Sequence, residues 1–460
     1  MTAATNIQIN SQSHTRTFYT LILTQMLSLM GSRISSLAVG IWVFNETGNA
    51  TPLALVSFFT VVPMVFASGV SGVLADRRDR RYIMALADAG QAVGTLLLLF
   101  SFLSGSFQLW HLYTVTLVSA VFGVFQQPAF QASVTMLVPD AQRDRANAIQ
   151  QLTGPVAGML APAIAGFTFT LIGIVGAIMI DLITFVISLV VVLQVNIPRP
   201  TQTAEGQAMQ GSVWRESFGG LRYLWSCRVL FNLMVFTSVI NFLVVGVISL
   251  LTPYVLARTG SEVTLGIILS LFNLGAIAGA VIIGVWGGTR PRIHTILPAL
   301  ITLGVLLMAL GMAQTAWTLA VAAFLLMVPL PMIEAPYRSI MQAKVPPDLQ
   351  GRVFAVTGQI SMLLTPIAYL VVGPLADQIF EPAVARAGWH TVASIVGSVP
   401  GSGMGLMFVL AGGITAILTI LMYAQQTVRH MEATLPDYVP DYQNDANSVD
   451  ESLGTLPVTS

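Results

Sequence analysis

The stretch GVLADRRDRR, Gly72–Arg81, sets two aspartates and four arginines between two long apolar segments, in a chain where charge is scarce. Charged residues make up 9% of the sequence and apolar ones 55%, against about 25% and 45–50% in ordinary soluble domains. Such a composition cannot cover a water-facing surface. Runs of about 20 apolar residues, the length that crosses the hydrocarbon, recur from Phe18 to Gln425. The sequence therefore predicts an all-α integral membrane protein.

The 20 Lys and Arg residues balance the 20 Asp and Glu residues, which leaves no basic excess for nucleic acid. The expected partners are membrane lipids and a small-molecule substrate. A single cysteine, Cys227, excludes an intrachain disulfide or a thiolate metal cluster. The five histidines (His14, His111, His294, His390, His430) are scattered without ligand spacing, so neither a metal nor a cofactor is expected.

Breaks at polar or Gly/Pro-rich stretches give twelve spans: 17–44, 52–75, 82–104, 109–137, 146–172, 174–195, 228–257, 263–286, 294–314, 316–343, 353–379 and 402–426. Between the fifth and sixth only Gly173 marks a turn. Residues 1–16 read as a polar cytoplasmic tail. The apolar segment after them is too long for a signal-peptide core and is expected to stay in the mature protein as span one. With the N-terminus inside, sixteen of the twenty basic residues fall on the inner side: Arg16, Arg77, Arg78, Arg80, Arg81, Arg143, Arg145, Arg199, Arg215, Arg222, Arg228, Arg290, Arg292, Lys344, Arg352 and Arg429. Only Arg258 and Arg386 fall outside, and Arg33 and Arg338 lie within spans. By the positive-inside rule both termini are expected in the cytoplasm.

Two bundles of six spans follow, 17–195 and 228–426. Between them a cytoplasmic linker, 196–227, carries WRESFGGLRYLW, with Trp214, Phe218, Leu221 and Trp225 at helical spacing beside Arg215 and Arg222. That pattern predicts a helix lying on the membrane surface. The acidic tail, 427–460, is expected to be disordered.

PAFQASVTMLVPDAQRDRANA of the first half aligns without a gap to APYRSIMQAKVPPDLQGRVFA of the second, pairing Val138 with Val345, Pro139 with Pro346 and Arg145 with Arg352. GVLADRRDR likewise meets GVWGGTRPR, Gly72 with Gly284 and Arg80 with Arg292, although Asp76 meets Gly288. Repeats of six spans favour a binding site between two halves that rock against each other.

Gly72, Leu74, Asp76, Arg77, Arg80 and Arg81, placed between spans two and three of twelve, resemble the signature loop of the major facilitator superfamily. Asp79 stands where many members carry glycine. MIDLITFVIS, FGGLRYL, VPPDLQGRVFA and GPLADQIFEP look like its macrolide-efflux and enterobactin-exporter branch. The resemblance implies two pseudo-symmetric six-helix bundles, a monomer in the bacterial cytoplasmic (inner) membrane, and protons as coupling ion. It assigns Gly72, Asp76, Arg77 and Arg80 to gating, with Asp76 closing the cytoplasmic gate against the start of span eleven near Arg352. The plainer role of Arg77, Arg78 and Arg81 is to fix topology and bind lipid phosphate. In span five, Gly158, Pro162 and Gly166 of GMLAPAIAG resemble the antiporter motif, with Ala161 and Ala165 replacing two glycines. Taken alone, such a small-residue face is ordinary helix packing.

Charges inside the membrane are costly and need a partner or a wet cavity. Arg33, in span one, either meets an anionic group of a substrate or joins a structural ion pair. Asp181 and Asp88 are candidates for proton coupling, since a carboxyl in hydrocarbon can load and release a proton. The alternatives are a helix-packing hydrogen bond for Asp181 and support of the charged loop for Asp88. Glu334, a third coupling candidate, is four residues from Arg338, the order that favours an internal pair. By the repeat they correspond to Gln127 and Gln131. Met30, Phe125, Asn241 and Tyr369 join Arg33, Gln127 and Arg338 as candidate cavity residues, within an apolar wall that also takes Met26, Phe58, Phe242, Phe272 and Met362.

These features predict a transporter, not an enzyme: no nucleophile motif, His–carboxylate cluster or phosphate loop is present. The expected activity is proton-driven efflux of a bulky amphiphile, such as a macrolide-like drug, siderophore or natural product. Uptake of a small nutrient by symport, and lipid handling, are the alternatives.

Overall fold

The computed structural model describes residues 2–77, 79–138, 143–195, 225, 228–345 and 347–429. Every regular element among them is helical. Ten stretches are long and apolar enough to cross a membrane. One of them, Arg145–Gln194, has 50 residues, about twice the length a single crossing needs. It is two spans, divided at Gly173, whose φ of 66° and ψ of −171° lie outside the helical region and are open to glycine. The apolar segment Thr51–Ala67 belongs to a further helix, and the described helices thus make twelve spans.

Span one is Thr2–Thr47, two is Thr51–Arg77, three is Arg80–Leu103 and four is Leu109–Leu137. Five and six share Arg143–Gln194; seven is Arg228–Ile248 continued by Leu251–Thr259, and eight is Glu262–Trp286. Nine is Ile293–Met312 and ten is Ala316–Met327 continued by Pro329–Lys344. Eleven, Pro347–Leu375, runs into a π turn at Ala376–Phe380, and twelve is Ser402–Ala424.

Two expectations about the ends are corrected. Residues 2–16 are helix continuous with span one, because no Pro or Gly interrupts the polar segment before Thr17. The helical turn Gln426–Arg429 carries order past residue 427, and Arg429 Nη2 donates to the Tyr423 carbonyl at 3.4 Å. The surface helix of the linker, apart from Trp225, and the tail beyond Arg429 lie outside the described residues.

The charged loop is built without glycine. Asp79 takes an extended conformation (φ −62°, ψ 114°) and its carboxylate accepts the Arg81 N–H at 3.1 Å, capping span three. Arg81 Nε donates to the Val192 carbonyl at 3.2 Å, near the end of span six. The departure from the family pattern thus substitutes a helix cap for a turn residue.

The second half holds the largest apolar core, which includes Leu303, Leu307, Leu310 and Phe408. Lipid is as apolar as leucine, so close packing, rather than exclusion from water, holds these helices together. Spans nine and twelve meet through glycines: a Cβ on Gly304 would stand 2.7 Å from the Gly412 carbonyl oxygen and 2.9 Å from Ala416 N. Tyr254, fully buried, sets its hydroxyl 3.0 to 3.2 Å from the carbonyls of Leu310, Gly311 and Ala313. It serves the orphan acceptors where span nine ends.

Gly412 and its neighbour Gly413 separate packing from helix propensity, since a Cβ at 412 collides with span nine while one at 413 meets nothing within 4 Å. Gly412→Ala should cost about 1–3 kcal/mol and lower the melting temperature in detergent, whereas Gly413→Ala should leave it unchanged or raise it.

Candidate functional site

A cavity of ≈990 Å3 lies between the two halves, lined by residues of spans one to eight and by Met362 of span eleven. Span one contributes Ser32, Arg33, Ser35 and Ser36, three apart or adjacent, so one helix face carries hydroxyls and a guanidinium. Span three adds Gln91 and Thr95, span four Gln127 and Gln131, and span six Asp181. The second half adds Asn273 of span eight, with Ser249 and Thr252 flanking the break in span seven. A broken helix is tolerated at membrane depth where its freed backbone lines a cavity.

Arg33 is exposed to this cavity and has no ion-pair partner among the described residues. Across from it is Asn273, whose Nδ2 donates to its own helix at Leu269 O, 2.8 Å away. That bond leaves Oδ1 directed at span five. Both groups converge over Gly158: a Cβ there would come 2.7 Å from Arg33 Nη1 and 2.8 Å from Asn273 Oδ1. The rest of the antiporter-like motif presses spans five and eight together. Ala161 and Ala165 are fully buried, and a Cβ on Gly166 would stand 2.6 Å from the Glu262 carbonyl oxygen. Ser270 Oγ accepts the Ala163 N–H at 3.1 Å, and Gly266 abuts the Pro162 backbone. Small residues here bring the two halves to backbone distance.

Asp181 stands at the cavity wall, 5% exposed. Its Oδ1 accepts the Ser32 hydroxyl at 2.9 Å and its Oδ2 the Thr95 hydroxyl at 3.2 Å. Asp88, fully buried, accepts Ser188 Oγ at 2.9 Å and Gln126 Nε2 at 2.6 Å, with Gln25 Nε2 at 3.5 Å. Gln25 also donates to Ser188 at 2.9 Å, and Gln91 to Gln126 Oε1 at 2.9 Å. These two networks tie together spans one, three, four and six. Neither carboxyl has a cation partner among the described residues; both are held by neutral donors.

Asp88, in span three, thus braces spans one, four and six through Gln25, Gln126 and Ser188. Glu334 and Arg338 are corrected. Both are exposed, no ion pair joins them, and neither lines this cavity. Met30, Phe125, Asn241 and Tyr369 also stand outside the lining; Asn241 Nδ2 instead meets Thr365 Oγ1 at 3.4 Å, joining spans seven and eleven. Of the apolar residues expected in the wall only Met362 lines the cavity; aliphatic residues such as Leu53, Val56, Leu98 and Val115, with Met64 and Phe185, build its apolar part instead. Arg33 and Gln127 line the cavity. The side chains of Gly72, Asp76 and Arg77 lie outside the described residues, while Arg80 is half-buried at the start of span three.

The sequence matches the Major Facilitator Superfamily profile over residues 21–369. Macrolide efflux protein A of Streptococcus pyogenes is 27% identical over 367 residues, covering 79% of this chain and 90% of that protein. Multidrug efflux pump Tap of Mycobacterium tuberculosis is 24% identical over 371 residues, covering 78% and 87%. Among solved structures, nucleoside transporter NupG superposes with a TM-score of 0.67 at 11% identity, covering 89% of this chain and all of that one (100%). A D-xylose-proton symporter gives 0.62 at 14%, covering 86% and 96%.

The polar network makes a stability prediction. Asp88→Ala strands the donors of Ser188 and Gln126 and should cost about 1–3 kcal/mol, read as a lower melting temperature in detergent. Asp88→Asn, which keeps an acceptor, should lose less.

Proposed function

The chain belongs to the Major Facilitator Superfamily, and from that premise we propose that it is an exporter in which proton entry drives a bulky amphiphile out of the cell. Membership makes it a multi-pass membrane transporter and not an enzyme. Efflux is supported by the named activities of its relatives, and a place in the bacterial cytoplasmic membrane with both termini inside accords with the Lys and Arg distribution; we take the chain to act as a monomer.

The observation that carries the reading is the cavity: ≈990 Å3 at the upper end of the range for drug-sized ligands, about 300–1,000 Å3. Its lining mixes aliphatic residues with Ser, Thr, Gln and Asn side chains, which suits a compound with an apolar body and many oxygen functions. Arg33 and Asn273, from opposite halves, offer such a cargo a donor and an acceptor at one point. An anionic group on the cargo gains most from Arg33, because the guanidinium has no other counter-ion among the described residues.

Asp181 is the preferred proton carrier. It touches the cavity, and an ionised carboxylate held only by neutral hydroxyls in hydrocarbon is costly, so proton uptake can compete with cargo binding and favour cargo release. Asp88 reaches the cavity through Gln126 and Gln91 and is the second candidate; Glu334, away from the cavity, is the weakest. On the charged-loop face, Asp76 and Arg80 would latch the gate against span eleven, as the family resemblance implies.

The polar lining also favours a second reading, uptake of a small hydroxylated nutrient. Direction of transport separates the two: labelled erythromycin should leave loaded cells faster with this chain than without it, whereas an importer accumulates its solute inside.

In proteoliposomes, Asp181→Asn should reduce pH-gradient-driven transport about tenfold while leaving exchange of cargo across the membrane intact. Efflux that ignores a pH gradient, or that keeps its coupling when Asp88, Asp181 and Glu334 are neutralised singly and together, removes proton coupling from the mechanism. Arg33→Ala should weaken an anionic cargo more than a neutral analogue of the same size.

A further inference from the structure

At the end of the bundle away from the charged loop, a carboxylate crosses from one half to the other. Asp377 lies in the π turn that closes span eleven. Its Oδ1 accepts the Ala50 N–H at 2.8 Å, and its Oδ2 accepts both the Thr51 N–H at 2.7 Å and the Thr51 hydroxyl. Span two begins at Thr51, so a second-half side chain caps a first-half helix, where unpaired N–H groups and the helix dipole favour an anion. The backbones are correspondingly close: a Cβ on Gly373 would stand 2.8 Å from Thr51 Cα and 2.9 Å from Ala54 Cβ. Glu381, four residues on, acts within its own half, accepting the N–H groups of Gly401 at 3.2 Å and Met404 at 2.8 Å where span twelve starts.

Asp377 ends the pentapeptide Gly373-Pro-Leu-Ala-Asp377, and the same G-x-L-A-D pattern, Gly72-Val-Leu-Ala-Asp76, lies in the last turns of span two. Because the C-terminal end of span eleven meets the N-terminal end of span two, the two helices run antiparallel. Each pentapeptide therefore sits at the C-terminal end of one helix, level with the N-terminal end of the other. Asp377 supplies the structural side of this parallel; Asp76 enters through its sequence alone.

We propose that Asp377 is the clasp of the gate on this face, making and breaking its bonds to Ala50 and Thr51 once per transport cycle, in alternation with Asp76 on the charged-loop face. The clasp presupposes the transporter reading above. Its chemistry suits a reversible contact. Asp377 and Thr51 are half-buried at the polar end of the helices, where water can take over the bonds when the halves part. All three bonds depend on one carboxylate, so a small rotation of span eleven relative to span two loses them together, which is the behaviour of a two-state element. The Asn45 Nδ2 to Glu262 Oε1 bond, 3.2 Å, joins spans one and eight at the same end, and the clasp is made in the conformation seen here.

The test is sidedness of labelling in the full-length protein, with Cys227→Ser removing the native thiol and Ser57→Cys placing one in the cavity wall. An impermeant maleimide is applied to vesicles of either orientation. Asp377→Asn and Asp377→Ala should raise labelling from the Asn49 side about tenfold relative to the other side, Thr51→Val should shift it the same way by less, and Asp76→Asn should shift it the opposite way. Correct insertion is checked by monodisperse elution, and if the alanine variant fails to fold, the asparagine and Thr51 variants carry the measurement. A labelling ratio that a pH gradient moves in the parent protein but that Asp377→Asn and Thr51→Val leave unchanged sinks the clasp alone. A ratio that no gradient or cargo moves in the parent protein sinks the transporter reading, and the clasp with it.

Discussion

A polar group in hydrocarbon has no water to bond, and each one must find its partner within the protein or at a wet cavity. In this chain that constraint decides where the halves differ. The first half takes polar side chains into its interior and satisfies them against each other: Gln25, Asp88, Gln126 and Ser188 in one network, Ser32, Thr95 and Asp181 in another. Truncating a member of such a network leaves its neighbours unpaired, and the four spans involved are therefore locked in register by direction as well as by contact. The second half is held by shape, through leucine layers and facing glycines on spans nine and twelve.

That division bears on transport. Hydrogen-bonded networks hold cargo-contacting groups in place, and the cavity draws more of its polar lining from the first half than from the second. The second half contributes fewer groups, and Ser249 and Thr252 among them flank a break in span seven. Under the proposed transport reading, the polar groups a cargo would meet come mainly from this braced half, while the opposite wall offers a broken helix. Between the halves, spans five and eight approach to backbone distance at Gly166 and Gly266.

Much of this was legible in the sequence, and the reasons are physical. Span count and length follow from hydrocarbon thickness, and the break at Gly173 was marked because a positive φ at that point selects glycine. The small residues of span five announced a close helix contact, since few other uses explain Gly158, Ala161, Ala165 and Gly166 on one helix. Helix rotation was partly legible. Span four carries Thr116, Ser119, Gln127 and Gln131, all of which line the cavity, so its polar residues were a usable guide to the inward face. Of the expected Met and Phe wall only Met362 lines the cavity, and polar residues such as Gln91, Thr95 and Asn273, each in an apolar run, mark its inward faces better because their cost in hydrocarbon needs a partner or a cavity. Spacing alone did not decide Glu334 and Arg338, because helix neighbours four apart need not turn their side chains toward each other.

Gly158 joins the motif to the chemistry. Its place in a helix does not require glycine, for no positive φ occurs there; what requires it is the approach of Arg33 and Asn273 to the span-five backbone. Replacing it with any larger residue would push apart two side chains that belong to different halves. The glycine therefore couples two properties in one residue: the tight crossing that lets the halves pivot, and the convergence of a donor and an acceptor at the pivot. A cargo held there touches both halves near their contact, where a small displacement of the binding groups corresponds to a large displacement at the distant gates, and binding can thereby bias which gate is open.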